Sequence, residues 1–457
     1  MEKAPGSLVF RATPLVCLLL LTLLYTLHFG SNQGNRQMRN QGSIGSSPGK
    51  DDRGIDDQEH LNSLLRRLVR GEDQNQLEAT GFACHSDLRS DVCVANRPVR
   101  IDTRSMKVYA PFSQGMSQAN SIVRPYARKL DKRAMSYTSP VQILQGNITA
   151  PECHYTHKVP AIVFSSGGFR GNLFHEFNDI IVPLFITCRH FQSRLRFITT
   201  DFSPLFVSKF NKILSHLSSY EVIRPGANGS VHCFPGAVIG LHYHGNLALN
   251  SSGIPGGYSM PDFRQFLRES YDLKVVNVLE VKKPALILIS RPRTRMFLNE
   301  DDMVTMMKAL GFRVIVARPN MMSNLDKFAQ LVSSCSVMVG AHGAGLTNSV
   351  FLPQGAVLVQ VVPLGLRWLS DRYFGRPAKE MGLKYVEYRI EPEESSLLSL
   401  YGQDHPIITD PVSIFLKGYE VARAAYIDGQ NLTLNVARFR ESLVKALGLL
   451  GHSAPLG

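Results

Sequence analysis

No Asp-x-Asp triplet occurs anywhere in the 457 residues, and no His or Cys residues stand at the spacing of a metal site. The nearest acidic cluster is Glu300-Asp301-Asp302, whose charges suit the first turn of a helix. A divalent cation that neutralises phosphate ordinarily needs such ligands, so diphosphate chemistry here falls to arginines and helix N-termini. No metal and no cofactor are expected. Also missing is a basic helix with interleaved aromatics. The net charge of +13 comes from scattered Lys and Arg, which argues against nucleic acid as a partner. Such a basic surface either helps capture an anionic ligand or polymer, or is simply solvated. No internal repeat is visible.

The stretch from Ala12 to Phe29 lacks Asp, Glu, Lys and Arg altogether. At about 1.5 Å per residue it nearly spans a hydrocarbon core of roughly 30 Å. The other reading is a cleaved signal peptide, but no small-residue cleavage motif follows Phe29. Lys3, Arg11 and the amino terminus outweigh Glu2, so residues 1–11 are expected to be cytosolic, 12–29 a single-pass type II anchor, and the remainder lumenal. Two features fit that placement. Sequons begin at Asn147, Asn228, Asn250 and Asn431, all beyond the anchor. Of seven cysteines, Cys17 lies in the apolar segment and six remain, an even number suited to an oxidising compartment. Cys84 and Cys93, in one short polar segment, are the favoured bridge. Cys188 and Cys335 sit in or beside apolar helical runs, where free buried thiols fit equally well.

Residues 30–80 are rich in Gly, Ser, Asn, Gln and Asp, with one amphipathic stretch from Leu61 to Val69, and are expected to form a flexible stem. From Pro160 strands and helices alternate. Strands are predicted over 161–164, 195–199 and 220–223, with helices over 172–190 and 204–217. The rhythm restarts after residue 257. Strands are predicted over 286–289, 313–316, 337–339, 357–362 and 385–389, with helices over 300–310, 325–334 and 346–351. Two successive alternations predict an α/β protein of two facing parallel-sheet halves, 81–257 and 258–457, with ligand in the cleft at the strand carboxyl ends.

Two segments carry candidate chemistry. In Ser336-Val-Met-Val-Gly-Ala-His-Gly-Ala-Gly-Leu-Thr-Asn348, a buried strand runs through a glycine turn into a helix. Backbone N–H groups at Gly343, Ala344 and Gly345 then converge on one spot, with His342 and Asn348 beside them, which makes a ready anion site. Arg291 and Arg295, with Arg293 between them, follow the strand that ends at Ser290 and emerge at the same sheet edge, where guanidinium groups clamp a diphosphate. A solvated basic loop is the plainer reading.

In Gly167-Gly-Phe-Arg-Gly-Asn-Leu-Phe-His-Glu-Phe-Asn-Asp179, the residues His175, Glu176 and Asp179 fall within about 60° of Asn172 on a helical projection, opposite an apolar face. Pro183 lacks the donor for the Asp179 carbonyl and should kink the helix there. The stripe is either the solvated face or a base site. His175 and Asp179, four residues apart, can share a hydrogen bond in which a carboxylate orients an imidazole for proton abstraction. His175 or Asp179 is the candidate base and Glu176 the reserve. Trp368, Arg372 and Tyr373 follow a strand end, where they line a pocket or merely pack.

These segments, taken with Cys84 to Cys93, Val99-Arg-Ile-Asp, Ser290-Arg-Pro-Arg-Thr-Arg295 and the Gln360-to-Trp368 block, resemble glycosyltransferase family 61 in its plant branch, over roughly Gly81 to Leu450. The resemblance implies a GT-B-like pair of Rossmann-like halves, the first on the acceptor side and the second holding a nucleotide sugar. It also implies inverting chemistry in the Golgi membrane, with transfer of xylose or arabinofuranose from a UDP-pentose to xylan or a xylo-oligosaccharide. By the same resemblance the His175-x-x-x-Asp179 pattern belongs to the active site, and the arginines and the His-Gly-Ala turn belong to the nucleotide site. A β-1,2-xylosyltransferase acting on N-glycan cores and a non-catalytic Golgi partner of a xylan-synthesis complex are the alternatives.

Overall fold

The structure, a computed structural model, describes residues 53–110, 119–146, 148–226 and 230–453. Short strands fill the first part: β1 (Phe82–Ser86), β2 (Asp91–Ala95), β3 (Val99–Asp102), β4 (Lys107–Tyr109), β5 (Ala119–Val123), β6 (Val141–Gln145) and β7 (Tyr155–Thr156). Next come β8 (Ala161–Phe164), β9 (Arg196–Thr199), β10 (Val231–Phe234) and β11 (Ala237–Ile239). The second part holds β12 (Ala285–Ile289), β13 (Arg313–Ala317), β14 (Val337–Ala341), β15 (Val357–Val362) and β16 (Lys384–Arg389).

The second part forms one parallel sheet of order β13-β12-β14-β15-β16. Every residue of β12, β14 and β15 is buried, as their continuous Val, Ile and Leu runs require in a sheet covered on both faces. The chain crosses from β12 outward to β13, then back to β14 on the other flank. Such a reversal leaves a crevice at the carboxyl ends of β12 and β14, where open α/β sheets bind ligands.

The first part departs from the expected parallel half. Its sheet of order β1-β2-β11-β8-β9 is parallel only across β11, β8 and β9; β1 with β2 is an antiparallel hairpin, and β11 meets β2 antiparallel. A separate mixed sheet, β5-β6-β4-β3-β10-β7, stands beside it. Periodicity detects strands but not their direction, and the segment expected as a strand over 220–223 makes a single bridge, Ile198 to Ile223. The hairpin carries the Cys84–Cys93 disulfide, a second disulfide joins Cys153 to Cys233, and Cys188 and Cys335 are buried free thiols.

The expected stem also needs correction over 53–80. Helices span Arg53–Arg66 and Glu72–Thr80, and Leu65, Leu68, Val69 and Leu77 are buried in the main core. Leucines three and four residues apart give the first helix an apolar stripe, and the His85 ring lies 2.7 Å from Asp73. The amphipathic stretch from Leu61 to Val69 is visible in the sequence, but the polar average of the surrounding fifty residues outweighed it in the stem expectation. The anchor expected at 12–29 and the sequons at Asn147 and Asn228 lie outside the described residues. Among the described residues no helix is long and apolar enough to cross a membrane.

Both parts share one apolar core. Phe177 packs edge-on against Phe351 at 5.8 Å, and Phe185 against Phe263 at 5.3 Å. Four histidines are also buried: His190 and His242 are pushed down to about 4, His342 to about 3, and His232 is lowered too, in each case chiefly by burial, with nearby cations and imidazoles adding to it. Each is neutral when folded and near 6.5 when unfolded, so the unfolded chain binds more protons as pH falls below 6.5. Stability is therefore full above that pH and is lost below it. We expect the Tm to drop by about 5 °C between pH 7 and pH 5 in scanning calorimetry; a flat profile contradicts neutral burial.

Candidate functional site

The loop after β12 brings Arg291 and Arg295 to the crevice. Arg295 has positive φ (53°), and its backbone N–H donates to the Gln430 carbonyl at 2.7 Å, which anchors the loop. Arg295 Nη1 donates to the His342 carbonyl at 2.7 Å, and Arg291 Nε donates to the Thr294 carbonyl at 2.8 Å. Arg293, by contrast, is exposed. Neither Arg291 nor Arg295 forms an ion pair among the described residues, and Arg295 Nε is buried without a partner. Asp428, whose charge Arg295 feels, is already held by Arg423 at 3.0 Å. Burial, then the neighbouring Arg291, pushes Arg295 down to about 9, so it remains charged at neutral pH. Burial likewise lowers Arg291. Two adjacent, uncompensated cations, Arg295 buried and Arg291 half-buried, are costly unless an anion joins them.

The glycine turn after β14 supplies the opposite wall. Gly343 has φ 146°, and a Cβ there would come within 2.6 Å of Arg291 Nη1, so only glycine lets the guanidinium lie against the turn. The turn leads into a 3₁₀ helix, Ala344–Phe351, at the place where a helix was expected. Asn348 Nδ2 donates to the Gly345 carbonyl at 2.9 Å, while Asn348 Oδ1 and Thr347 Oγ1 are buried without partners. Gln360 and His342 Nδ1 lie 3.1 Å apart, and Tyr385 donates to Gln360 Oε1 at 2.8 Å. That chain turns the Gln360 amide N–H toward Nδ1, which leaves the proton of the neutral imidazole on Nε2. His342 is thus a hydrogen-bond donor and adds no charge.

The helix from Asn172 begins with the Asn172 side chain capping Phe174 N–H. Ahead of Pro183, where a kink was expected, it widens to a π-turn over Glu176–Ile181 and resumes as α-helix over Val182–Cys188, which makes room for the proline ring and its missing donor. The stripe is not a solvated face, since Glu176 and Asp179 are buried and His175 is half-buried, with only Asn172 at its start exposed.

Asp179 Oδ2 accepts from His175 Nδ1 at 2.8 Å and from the Tyr126 hydroxyl at 3.0 Å. Its Oδ1 accepts from Asn178 at 2.7 Å and from Arg128 at 3.5 Å. Burial, and then the Asp179 charge, push the Tyr126 phenol far above its ordinary range, so it stays a donor. Asp179 is fully buried while the His175 side chain is 18% exposed. With Nδ1–H committed to Asp179, Nε2 of His175 carries the free lone pair. The geometry therefore divides two candidates that the spacing leaves equal: His175 is presented and Asp179 orients it.

Glu176 is turned away from both. It accepts from Gly171 N–H at 3.0 Å and pairs with Lys209, pinning the glycine loop. Replacing Glu176 by Ala is expected to lower stability by about 2 kcal/mol in urea titration while kcat changes by less than about tenfold. A larger catalytic loss would return Glu176 to the reacting centre.

The two walls meet. The turn Leu173–His175 packs on the 3₁₀ helix, and the Phe174 ring lies edge-on to His175 (5.4 Å), Tyr373 (5.0 Å) and Phe374 (5.8 Å). Phe374 in turn lies 5.5 Å from His342. Tyr126, Arg128, Thr347 and Tyr385 carried no local pattern in the sequence. Gln360 did, as the one polar residue in the otherwise aliphatic Val357–Val362 strand. Among the sequons, Asn250 is exposed, whereas Asn431 is half-buried and its Oδ1 accepts from Met296 N–H at 3.1 Å.

Fold and site together define a class: an α/β protein with two arginines and a glycine turn at a sheet reversal, and an oriented histidine on the helix packed against that turn. The chain belongs to the glycosyltransferase 61 family, whose profile matches residues 172–359, from the cap of the His175 helix into β15. It is 41% identical over 370 residues to an alpha-1,3-arabinosyltransferase of Oryza sativa subsp. japonica, covering 79% of this chain and 64% of that protein, so it spans less than two thirds of that relative's length. It is 33% identical over 408 residues to a xylan glycosyltransferase of Arabidopsis thaliana, covering 84% of this chain and 83% of that protein. A beta-1,2-xylosyltransferase of Oryza sativa subsp. japonica is 36% identical over 388 residues, covering 80% and 83%.

Proposed function

We propose that the protein is an inverting, metal-independent glycosyltransferase that moves a pentose, xylose or arabinofuranose, from a UDP-sugar to xylan. Its two parts act as the GT-B-like halves 81–257 and 258–457. The observation that carries this reading is the pair of uncompensated guanidiniums of half-buried Arg291 and buried Arg295 facing, across Phe174 and Phe374, a His175 oriented by Asp179. The Arabidopsis thaliana relative named as a xylan glycosyltransferase supports the substrate class.

His175 Nε2 takes the proton of an acceptor hydroxyl, whose oxygen attacks the anomeric carbon from the face opposite the nucleotide. The bond from that carbon to the diphosphate oxygen breaks, and the departing charge is met by Arg291, Arg295 and the N–H groups of Gly343 to Gly345. His342 Nε2–H, Asn348 and Thr347 offer hydrogen bonds to the rest of the donor. Because the guanidiniums supply the charge that a divalent ion supplies elsewhere, transfer should not need one. The apolar segment 12–29 and the sequons beyond it support a Golgi-membrane, type II reading of this activity.

The purified full-length chain, incubated with UDP-xylose or UDP-arabinofuranose and xylo-oligosaccharides, should yield a product one pentose longer, in equal amount with and without EDTA. No product from either donor would refute the reading, and a chelator-sensitive product would refute its metal-free part.

A further inference from the structure

A cavity of about 490 Å³ opens on the base side of the site and is lined by Arg89, Arg128, Tyr243, Trp368 and Tyr373, among others. Its volume is that of a small-ligand pocket. Arg291, Arg295 and Gly343 do not line it, so it is not the anion pocket. Two of its wall residues lie next to the His175–Asp179 pair instead, although His175 itself is not in the wall. Arg128 reaches Asp179, and Tyr373 lies against Phe174, the neighbour of His175.

Trp368 is 64% exposed, an unusual state for the largest apolar side chain. It is nevertheless held in place, because the Arg372 guanidinium lies 5.1 Å from its ring. Tyr243, another aromatic of the cavity, is fixed the same way, with Arg89 4.8 Å from its ring and donating to its hydroxyl at 3.0 Å. Asp131 and Asn246 add polar atoms to the wall. Rigid aromatic faces with a few convergent polar groups suit a pyranose, whose C–H face is apolar and whose edge is all hydroxyl.

We propose that this cavity holds the acceptor polysaccharide and that Trp368 is its stacking platform, a specificity-determining residue that carries a sugar ring next to the one presented to His175. The proposal rests on the pentosyltransferase reading for the identity of the acceptor.

Trp368 is the single tryptophan of the chain, so intrinsic tryptophan emission reports on this position alone. Adding xylohexaose to the full chain should shift and quench that emission, and adding UDP alone should not. Unchanged emission with xylohexaose, or a response to UDP alone, would overturn the proposal. In the transfer assay, Trp368→Ala should raise the acceptor KM about tenfold with kcat and donor KM nearly unchanged, and Trp368→Phe should restore most of the loss. An unaltered acceptor KM, or a loss that falls on donor KM, would equally overturn it. Emission that responds to xylohexaose without any transfer product would instead refute the pentosyltransferase reading and leave the platform standing.

Discussion

Replacing His175 by Ala should lower kcat by about a thousandfold while leaving UDP affinity unchanged. Removing the base leaves the donor pocket intact, because Arg291, Arg295 and the glycine turn lie on the β12–β14 side and make no hydrogen bond to His175 among the described residues. Asp179→Asn should cost less in kcat, since the amide still accepts from Nδ1–H but no longer stabilises the imidazolium formed in transfer. That variant should also lose stability, because Tyr126 and Arg128 both lean on the lost charge. Steady-state kinetics with UDP titration separates the two roles. If His175→Ala transfers at the wild-type rate, the proton must go elsewhere and the mechanism fails.

The second large effect concerns the arginines and has an unusual sign. Arg291→Gln should raise donor KM about a hundredfold, the loss of one charge-assisted contact of roughly 2.7 kcal/mol. In the ligand-free protein the same change should leave the Tm unaltered or raise it. It removes the half-buried one of two adjacent cations that lack a carboxylate partner and whose charges oppose each other. Meanwhile the rise in Tm that UDP gives the wild type should largely vanish. Differential scanning fluorimetry with and without UDP reads both numbers. A variant destabilised without ligand but still shifted by UDP would mean that Arg291 is structural and that the anion binds elsewhere.

Much of this was legible in one dimension. In the second part the inner strands β12, β14 and β15 are apolar but for Gln360, and such runs identify buried parallel strands almost to the residue, as at Val357–Val362. The glycine turn after β14 and the arginine loop after β12 were visible for the same reason: each directly follows a strand end, so sequence neighbours are also spatial neighbours. The pairing of His175 with Asp179 rests on a four-residue spacing that a helix, even one widened to a π-turn, brings together.

What escaped lay in contacts that span long stretches of chain. Tyr126 and Arg128 approach Asp179 from about fifty residues upstream, out of a segment with no periodicity of its own. The direction of β2 and β11 depends on partners far away in the chain, so a half that looks parallel by rhythm folds as a mixed sheet. Residues 53–80 are polar on average yet bury Leu65 and Leu77, because a helix needs only one apolar stripe to dock.

By itself the sequence determined which side chains are available and which of them local geometry must set side by side: the glycine turn, the arginine loop, the His175 helix and the aliphatic strands. Only the tertiary structure decided their roles. Burial and hydrogen-bond partners are properties of a surface folded on itself. They made Asp179 the orienting group and His175 the presented one, tied Glu176 to Lys209, and left Arg291 and Arg295 without a counter-charge.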